Sequence, residues 1–133
     1  SLYSCIEMIK TGTTTVCDMY FYKDGIMKAI KEAKVRAMFP LYFIGDYDKN
    51  TFDDEEKFYL NNKDNDLIKF HVSLHSFYTC SQELVSECKK FADKYNMLFG
   101  THFCEHDSEL NTIINKYNMK PAYVLDKYGP SEK

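Results

Sequence analysis

Apolar residues recur along the chain with two periods that alternate. Leu2, Cys5, Ile6 and Ile9 stand at helical spacing, and Gly12 sits where a helix C-cap glycine belongs. Thr13 to Tyr20 is dominated by β-formers and predicts a strand. Asp24 is placed to N-cap a helix whose apolar residues Ile26, Met27, Ile30 and Ala33 share one face. Val35 to Phe43 returns as an apolar strand, with Pro40 expected at a bulge or at the strand end because proline cannot donate to a ladder. From Gly45 to Asp66 the chain is rich in Asp, Asn and Lys, and Phe52, Phe58, Tyr59 and Leu60 predict only a short helix starting near Thr51. Ile68 to His75 reads as a third strand. Thr79-x-x-Gln82 has capping-box form ahead of the stripe Leu84, Val85, Cys88, Phe91, Ala92 and Tyr95. Met97 to Phe103 is a fourth strand, Leu110, Ile113, Ile114 and Tyr117 mark a helix, and Pro121 to Tyr128 a last one ending at Gly129.

Strands that start near residues 13, 35, 68 and 97 and alternate with helices have the repeat of βα units in a parallel sheet. Their apolar character on both faces fits a sheet covered by helices. The fold class is α/β, and two architectures qualify: an open doubly wound sheet, or four consecutive units of a (β/α)8 barrel. No glycine-rich phosphate loop follows a strand, so nothing supports a nucleotide cofactor.

At 133 residues and 44% hydrophobic, the chain is expected to form one domain over residues 1–133. A net charge of −3 with scattered basic residues lacks the footprint of nucleic-acid binding. No apolar run approaches the roughly 18 to 20 residues that cross a bilayer, so no membrane partner is expected. Cys5, Cys17, Cys80, Cys88 and Cys104 are odd in number and form no Cys-x-x-Cys pair, which fits a reduced, cytoplasmic chain. The start at Ser1, inside a helical pattern, reads as an excised or truncated piece of something longer.

Chemistry in parallel α/β folds gathers at the C-terminal ends of strands. The third strand ends in His75-Ser76-Phe77-Tyr78-Thr79-Cys80-Ser81 and the fourth in His102-Phe103-Cys104-Glu105. Two strands thus deliver a histidine each to one edge, and the second adds a carboxylate. Neutral imidazoles that ligate a borderline metal, with a carboxylate to move a proton, suit a metal-assisted hydrolase. If that holds, the His75 and His102 side chains converge within roughly 10 Å, given strands about 4.8 Å apart.

Glu7 to Tyr20 resembles the helix-to-strand segment of the amidohydrolase superfamily in its chlorohydrolase branch, which includes S-adenosylhomocysteine and 5-methylthioadenosine deaminases. His75 to Ser81 resembles that family's His-Ala-Pro-Tyr-Thr-Cys-Ser stretch, His102 to Glu105 its His-x-x-Glu, and Lys120 to Asp126 the helix that follows. The resemblance implies a metal-dependent hydrolase on a (β/α)8 barrel, of which this chain would supply strands 2 to 5. It implies His102 as a ligand of a divalent metal, zinc above all, Glu105 as the acid/base, and His75 as a substrate contact. The substrate would be a small aminated heterocycle such as an adenosine derivative, attacked by water at its amidine carbon.

The family's His-x-His of strand 1, its strand-6 His and its strand-8 Asp have no counterpart here, so the chain alone is expected to be inactive and to hold metal weakly or not at all. Ser76-Phe77 replaces Ala-Pro, and Arg36 is the only arginine, so the arginines with which such deaminases recognise substrate are not visible in Asp46 to Asp66. The alternative is a non-catalytic, self-standing α/β domain serving binding or assembly. His71 is expected in the core and His106 exposed at a helix start, while Asp18 stands either on the catalytic face or in a loop cap. Asp53 to Glu56 read as a solvated helix N-terminus, and Cys80, Cys88 and Cys104 as small buried residues. An open half-barrel would bare inner-face residues such as Leu98 and Phe70. It should then self-associate, or fold its terminal helices across the open face.

Overall fold

The computed structural model describes residues 2–129. Its elements run α1 (Leu2–Lys10), β1 (Thr15–Cys17), α2 (Lys23–Ala33), β2 (Arg36–Phe43), α3 (Lys49–Asn62), β3 (Ile68–Leu74), α4 (Gln82–Tyr95), β4 (Leu98–Thr101), α5 (Asp107–Tyr117) and α6 (Pro121–Tyr128). The strands are parallel and lie side by side in chain order, β1-β2-β3-β4. A right-handed crossover between adjacent parallel strands sends its helix to one particular face, so without a reversal of strand order all the crossover helices share a face. A doubly wound sheet needs that reversal. The sequential order selects the other architecture: a curled half of a (β/α)8 barrel, helices outside and concave face open.

The period of two decides which side chains go where. Ala37, Phe39, Leu41 and Phe43 of β2 and Ile68, Phe70, Val72 and Leu74 of β3 are buried beneath the helices. Phe39 lies 5.5 Å from Phe58, Phe43 stacks at 4.4 Å on Phe52, and Phe70 meets Tyr59 edge-on at 5.4 Å, so α3 is clamped by rings. Each ring so buried is worth about 1.5–3 kcal/mol relative to water. Phe70 therefore belongs to the outer face, contrary to the expectation. The opposite parity carries Met38, Pro40 and Tyr42, then Lys69, His71 and Ser73, then Leu98 and Gly100 to the concave face. Leu98, 60% exposed, is the bare residue that an open half-barrel predicts.

Pro40 stands in unbroken register opposite His71, at neither a bulge nor a strand end. Ala37 donates its N–H to Leu67 and Phe43 accepts from His75, so odd residues of β2 bond toward β3 and Pro40 faces β1. The β1 ladder has already stopped at Cys17 opposite Met38, and the missing N–H costs no bond. β1 is shorter than Thr13 to Tyr20 because Thr13 donates its N–H back to Met8 at the end of α1. β4 likewise spans only Leu98–Thr101.

Helix starts depart from the pattern where a side chain has better use elsewhere. Tyr22, in the left-handed region at φ 65°, precedes α2, and Asp24 sits in its first turn facing the helix dipole. Asp48 caps α3, accepting from the N–H groups of Asn50 and Thr51, which places Asp53 to Glu56 inside a 14-residue helix rather than at its start. Asp53 and Asp54 are exposed as expected, but Glu55 and Glu56 are not freely solvated. Glu55 is buried and accepts from Lys23 Nζ at 2.8 Å; burial pushes its carboxyl up although Lys23 opposes the shift. Glu56 accepts from Lys94 at 2.6 Å and from the Tyr95 hydroxyl, tying α3 to α4. Ser81, not Thr79, caps α4 through the Leu84 N–H. The terminal helices leave the concave face open: α1 packs on α2, and α6 on α4 and α5. None of the described helices is long and apolar enough to cross a membrane.

His71 is buried on the concave side, as expected of a core histidine. Gly100 makes room for it, since a Cβ there would come within 3.2 Å of His71 Cδ2. Burial holds the His71 imidazole below its ordinary range, the backbone of Phe39 opposing in part. The unfolded histidine titrates near 6.5. On acidification the unfolded state therefore takes the proton first, and stability falls as pH drops from about 6.5 toward the folded value. Urea midpoints at pH 7 and pH 5.5 are expected to drop more for the wild type than for His71→Leu. Equal drops would show that His71 contributes nothing to acid sensitivity.

Candidate functional site

The parallel ladder runs on past both strand ends. His75 donates its N–H to Phe43 C=O at 2.9 Å, and its own C=O accepts the N–H of His102 at 2.9 Å. Thr101 Oγ1 adds a second donor to that carbonyl at 3.3 Å. Backbone bonds thus fix the two histidines side by side, with ring centroids 5.1 Å apart and planes at 75°. This meets the expected convergence within 10 Å on one edge of the sheet.

The His75 ring is held from several sides. Its Nδ1 pairs with Thr79 Oγ1 at 2.8 Å, and Tyr42 and Tyr78 stand edge-on at 6.5 and 6.3 Å. Thr79 also lies 3.3 Å from Ser76 C=O. A hydroxyl that donates to that carbonyl accepts from Nδ1–H and leaves Nε2 a free acceptor; one that donates to Nδ1 leaves Nε2–H a donor. In both cases Nε2 is the nitrogen left for a ligand. Thr79 was legible in the sequence only as a helix cap. Ser76 and Phe77, which depart from the family's Ala-Pro, are both buried. Ser76 Oγ accepts the Tyr78 N–H at 3.2 Å, fixing the turn by a hydrogen bond, and Phe77 packs against Tyr117 at 6.3 Å.

Glu105 lies in the loop between β4 and α5, exposed, with no side-chain hydrogen bond among the described residues. Its backbone is firmly held. Glu109, 1% exposed, accepts the Glu105 N–H on Oε2 at 2.6 Å and the Cys104 N–H on Oε1 at 3.1 Å. Cys104 reaches that carboxylate from the left-handed region at φ 54°, and its side chain turns to solvent, so it is not the buried residue expected. Cys80 and Cys88 are buried; burial raises the Cys88 thiol out of any reactive range. His106 caps α5, accepting the Glu109 N–H at 3.2 Å, and is exposed as expected. Its ring meets Tyr78 at 5.5 Å, which links the loops of His75 and Glu105. Lys116, further along α5, donates to Phe77 C=O at 3.1 Å and to Cys80 C=O. Glu109 and Lys116 escaped the sequence reading, although His106-x-x-Glu109 has capping-box spacing.

Asp18 follows β1, half-buried and without a hydrogen bond among the described residues; it caps no loop, and it lines a groove with Tyr20, Phe21, Tyr22 and Ile26. Arg36 stands at the other end of the sheet, where β2 starts, its Nε 3.4 Å from Thr15 Oγ1. Among the described residues no three His, Cys, Asp or Glu side chains are grouped to hold a metal ion. The donors present, two imidazoles with free nitrogens near a carboxylate loop, suit a borderline metal as one part of a ligand set.

The amidohydrolase family model matches residues 1–133. The 5'-deoxyadenosine deaminase of Methanococcus aeolicus is 37% identical over 135 residues, covering 97% of this chain and 32% of the relative. The 5-methylthioadenosine/S-adenosylhomocysteine deaminase of Caldicellulosiruptor saccharolyticus is 34% identical over 129 residues, covering 97% of this chain and 30% of the relative. An adenosine deaminase from Xanthomonas campestris, solved with bound zinc, superposes with a TM-score of 0.86 at 25% identity, over 96% of this chain and 30% of that one. A guanine deaminase from C. acetobutylicum, solved with guanine, shares the fold with a TM-score of 0.81 at 20% identity, over 96% of this chain and 34% of that one. The chain spans about a third of the length of these proteins, and its strand order, its helix-covered face and its match throughout agree: it belongs to the amidohydrolase family.

Proposed function

We propose that residues 1–133 work as one unit, the strand 2 to 5 part of a hydrolytic deaminase acting on an aminated purine nucleoside. The observation that carries this reading is the backbone-enforced pairing of His75 and His102 at the C-terminal edge, with Glu105 on the adjoining loop. The names of the relatives, deaminases of 5'-deoxyadenosine and related nucleosides, support the substrate class. Arg36, the only arginine of the chain, lies at the opposite end of the strands from His75 and His102.

His102 would give one nitrogen to a divalent metal, and zinc in the Xanthomonas structure supports that choice. When bound, such a metal supplies a water acidic enough to act as nucleophile near neutral pH. His75 Nε2, its ring locked by Thr79, hydrogen-bonds the substrate and orients it. Glu105 takes one proton from the attacking water and passes it to a ring nitrogen, then takes the second from the new hydroxyl group and gives it to the amine, which leaves as ammonia. The C–N bond to the exocyclic amine breaks and a C–O bond replaces it.

In the protein expressed from the whole reading frame that encodes this chain, Glu105→Gln is expected to lower kcat for ammonia release from 5'-deoxyadenosine by about 10^2 to 10^4. Unchanged turnover would remove Glu105 from the chemistry, and a wild-type protein that releases no ammonia from adenine nucleosides would favour a binding or assembly role. The 133-residue chain alone, lacking a three-donor group among its described residues, is expected to retain well under one equivalent of zinc after dialysis. Stoichiometric, tightly held zinc would mean that it completes a site unaided.

The concave face supports a further expectation, that the isolated chain pairs with a second copy. Leu98 is bared there, and β1 and β4 have one unpaired side each in the described sheet. At about 25 cal/mol per Å2, covering a few hundred Å2 of apolar surface yields several kcal/mol. Light scattering should report a mass above that of one chain, and a stable monomer would count against the open-face picture.

A further inference from the structure

The mechanism asks much of Glu105, whose side chain is exposed and has no hydrogen bond among the described residues that would fix it. What restrains it is its own backbone, and that backbone ends on one buried carboxylate. Glu109 receives the N–H groups of two successive residues, Cys104 and Glu105, one on each oxygen, at 3.1 and 2.6 Å. Hydrogen bonds onto an ionised acceptor are about twice as strong as neutral ones. The arrangement also demands a strained residue, since Cys104 adopts φ 54° to present its N–H. In an ordinary capping box the carboxylate at the third helical position returns to the N-cap N–H. Here His106 is the N-cap, and Glu109 reaches beyond it to the two residues before.

The geometry points to Glu109 as a positioning residue for Glu105, acting through the backbone and touching neither substrate nor metal. This rests on the deaminase reading above. A carboxylate that must first meet water and then a ring nitrogen has to swing about a fixed Cα. Two bonds to a buried anion hold that Cα while leaving the side-chain torsions free. Glu109 is rooted in α5, and Lys116 on the same helix grips the loop of His75 by two carbonyls. One helix thereby sets the distance between the proton carrier and the residue that orients the substrate.

The test is a double-mutant cycle in the protein expressed from the whole reading frame, assayed by ammonia release from 5'-deoxyadenosine. Glu109→Gln keeps the shape of the side chain but turns one acceptor into a donor that faces an N–H. It is expected to lower kcat at least tenfold with KM within about twofold and zinc content unchanged. Amide hydrogen exchange at Cys104 and Glu105 should speed up at least tenfold. In a Glu105→Gln background the same change should cost less than about twofold, because a positioning residue has nothing left to position. A merely structural role would cost the same factor in both backgrounds and would overturn the assignment. So would a Glu109→Gln enzyme that keeps more than half of wild-type kcat. If Glu109→Gln does not fold, Glu109→Asp, which keeps the charge and withdraws it by one methylene, carries the same cycle with the same criteria. A wild-type protein without turnover would overturn the deaminase reading and this proposal together, whereas wild-type turnover with additive losses would overturn this proposal alone.

Discussion

One backbone hydrogen bond, from the His102 N–H to the His75 carbonyl, organises the edge on which the candidate chemistry sits. It exists because β3 and β4 are parallel neighbours whose ladder does not end with the regular strands. Parity does the rest. Once His71 is opposite Leu98, alternation sends His71, Ser73 and His75 to the concave face together with Leu98, Gly100 and His102. A slip of one residue would carry one of the two histidines beneath the helices and separate the rings. The register is secured from the other face, where Phe70, Val72 and Leu74 are buried and α3 stacks rings against the sheet.

The same parity explains what was legible in the sequence. Strands and helices were visible because each apolar period persists over whole elements, and the two histidines because they end apolar runs. Several of the misreadings involve a polar side chain with more than one possible partner. Thr79 has the spacing of a cap but bonds His75, leaving the cap to Ser81. Glu55 and Glu56 look like a solvated run, yet Lys23, Lys94 and Tyr95 approach them from other helices. Pro40 breaks a rule for central strands because its neighbour β1 is only three residues long. The partners of Glu55 and Glu56 lie 32 to 39 residues away and are not written in the local pattern.

The concave face carries its own physical tension. His71 Nδ1 and Ser73 Oγ are buried without hydrogen-bond partners among the described residues, beside an exposed Leu98. A sheet stable by itself would be expected to invert this, burying the leucine and wetting the hydroxyl. The inversion fits a surface shaped to meet more protein or ordered water than these residues provide. It agrees with a chain that spans about a third of its relatives and matches them throughout.

The grouping on α5 shows how a barrel can keep loop residues in register although loops are its least constrained parts. His106 and Glu109 at its start fix the turn that leads out of β4, and Lys116 near its end reaches back to the turn that leads out of β3. Tyr78 closes the circuit by touching both His75 and His106. Each tie is made to backbone or to a ring edge, so the outward ends of His75, His102 and Glu105 stay free. Rigidity is thus placed one bond behind the groups that need freedom, and the helix that supplies it is itself anchored by Ile113 and Tyr117 in the core. Stability of the core and placement of the site are therefore coupled through α5, and a substitution there acts on both loops before it reaches any reacting atom.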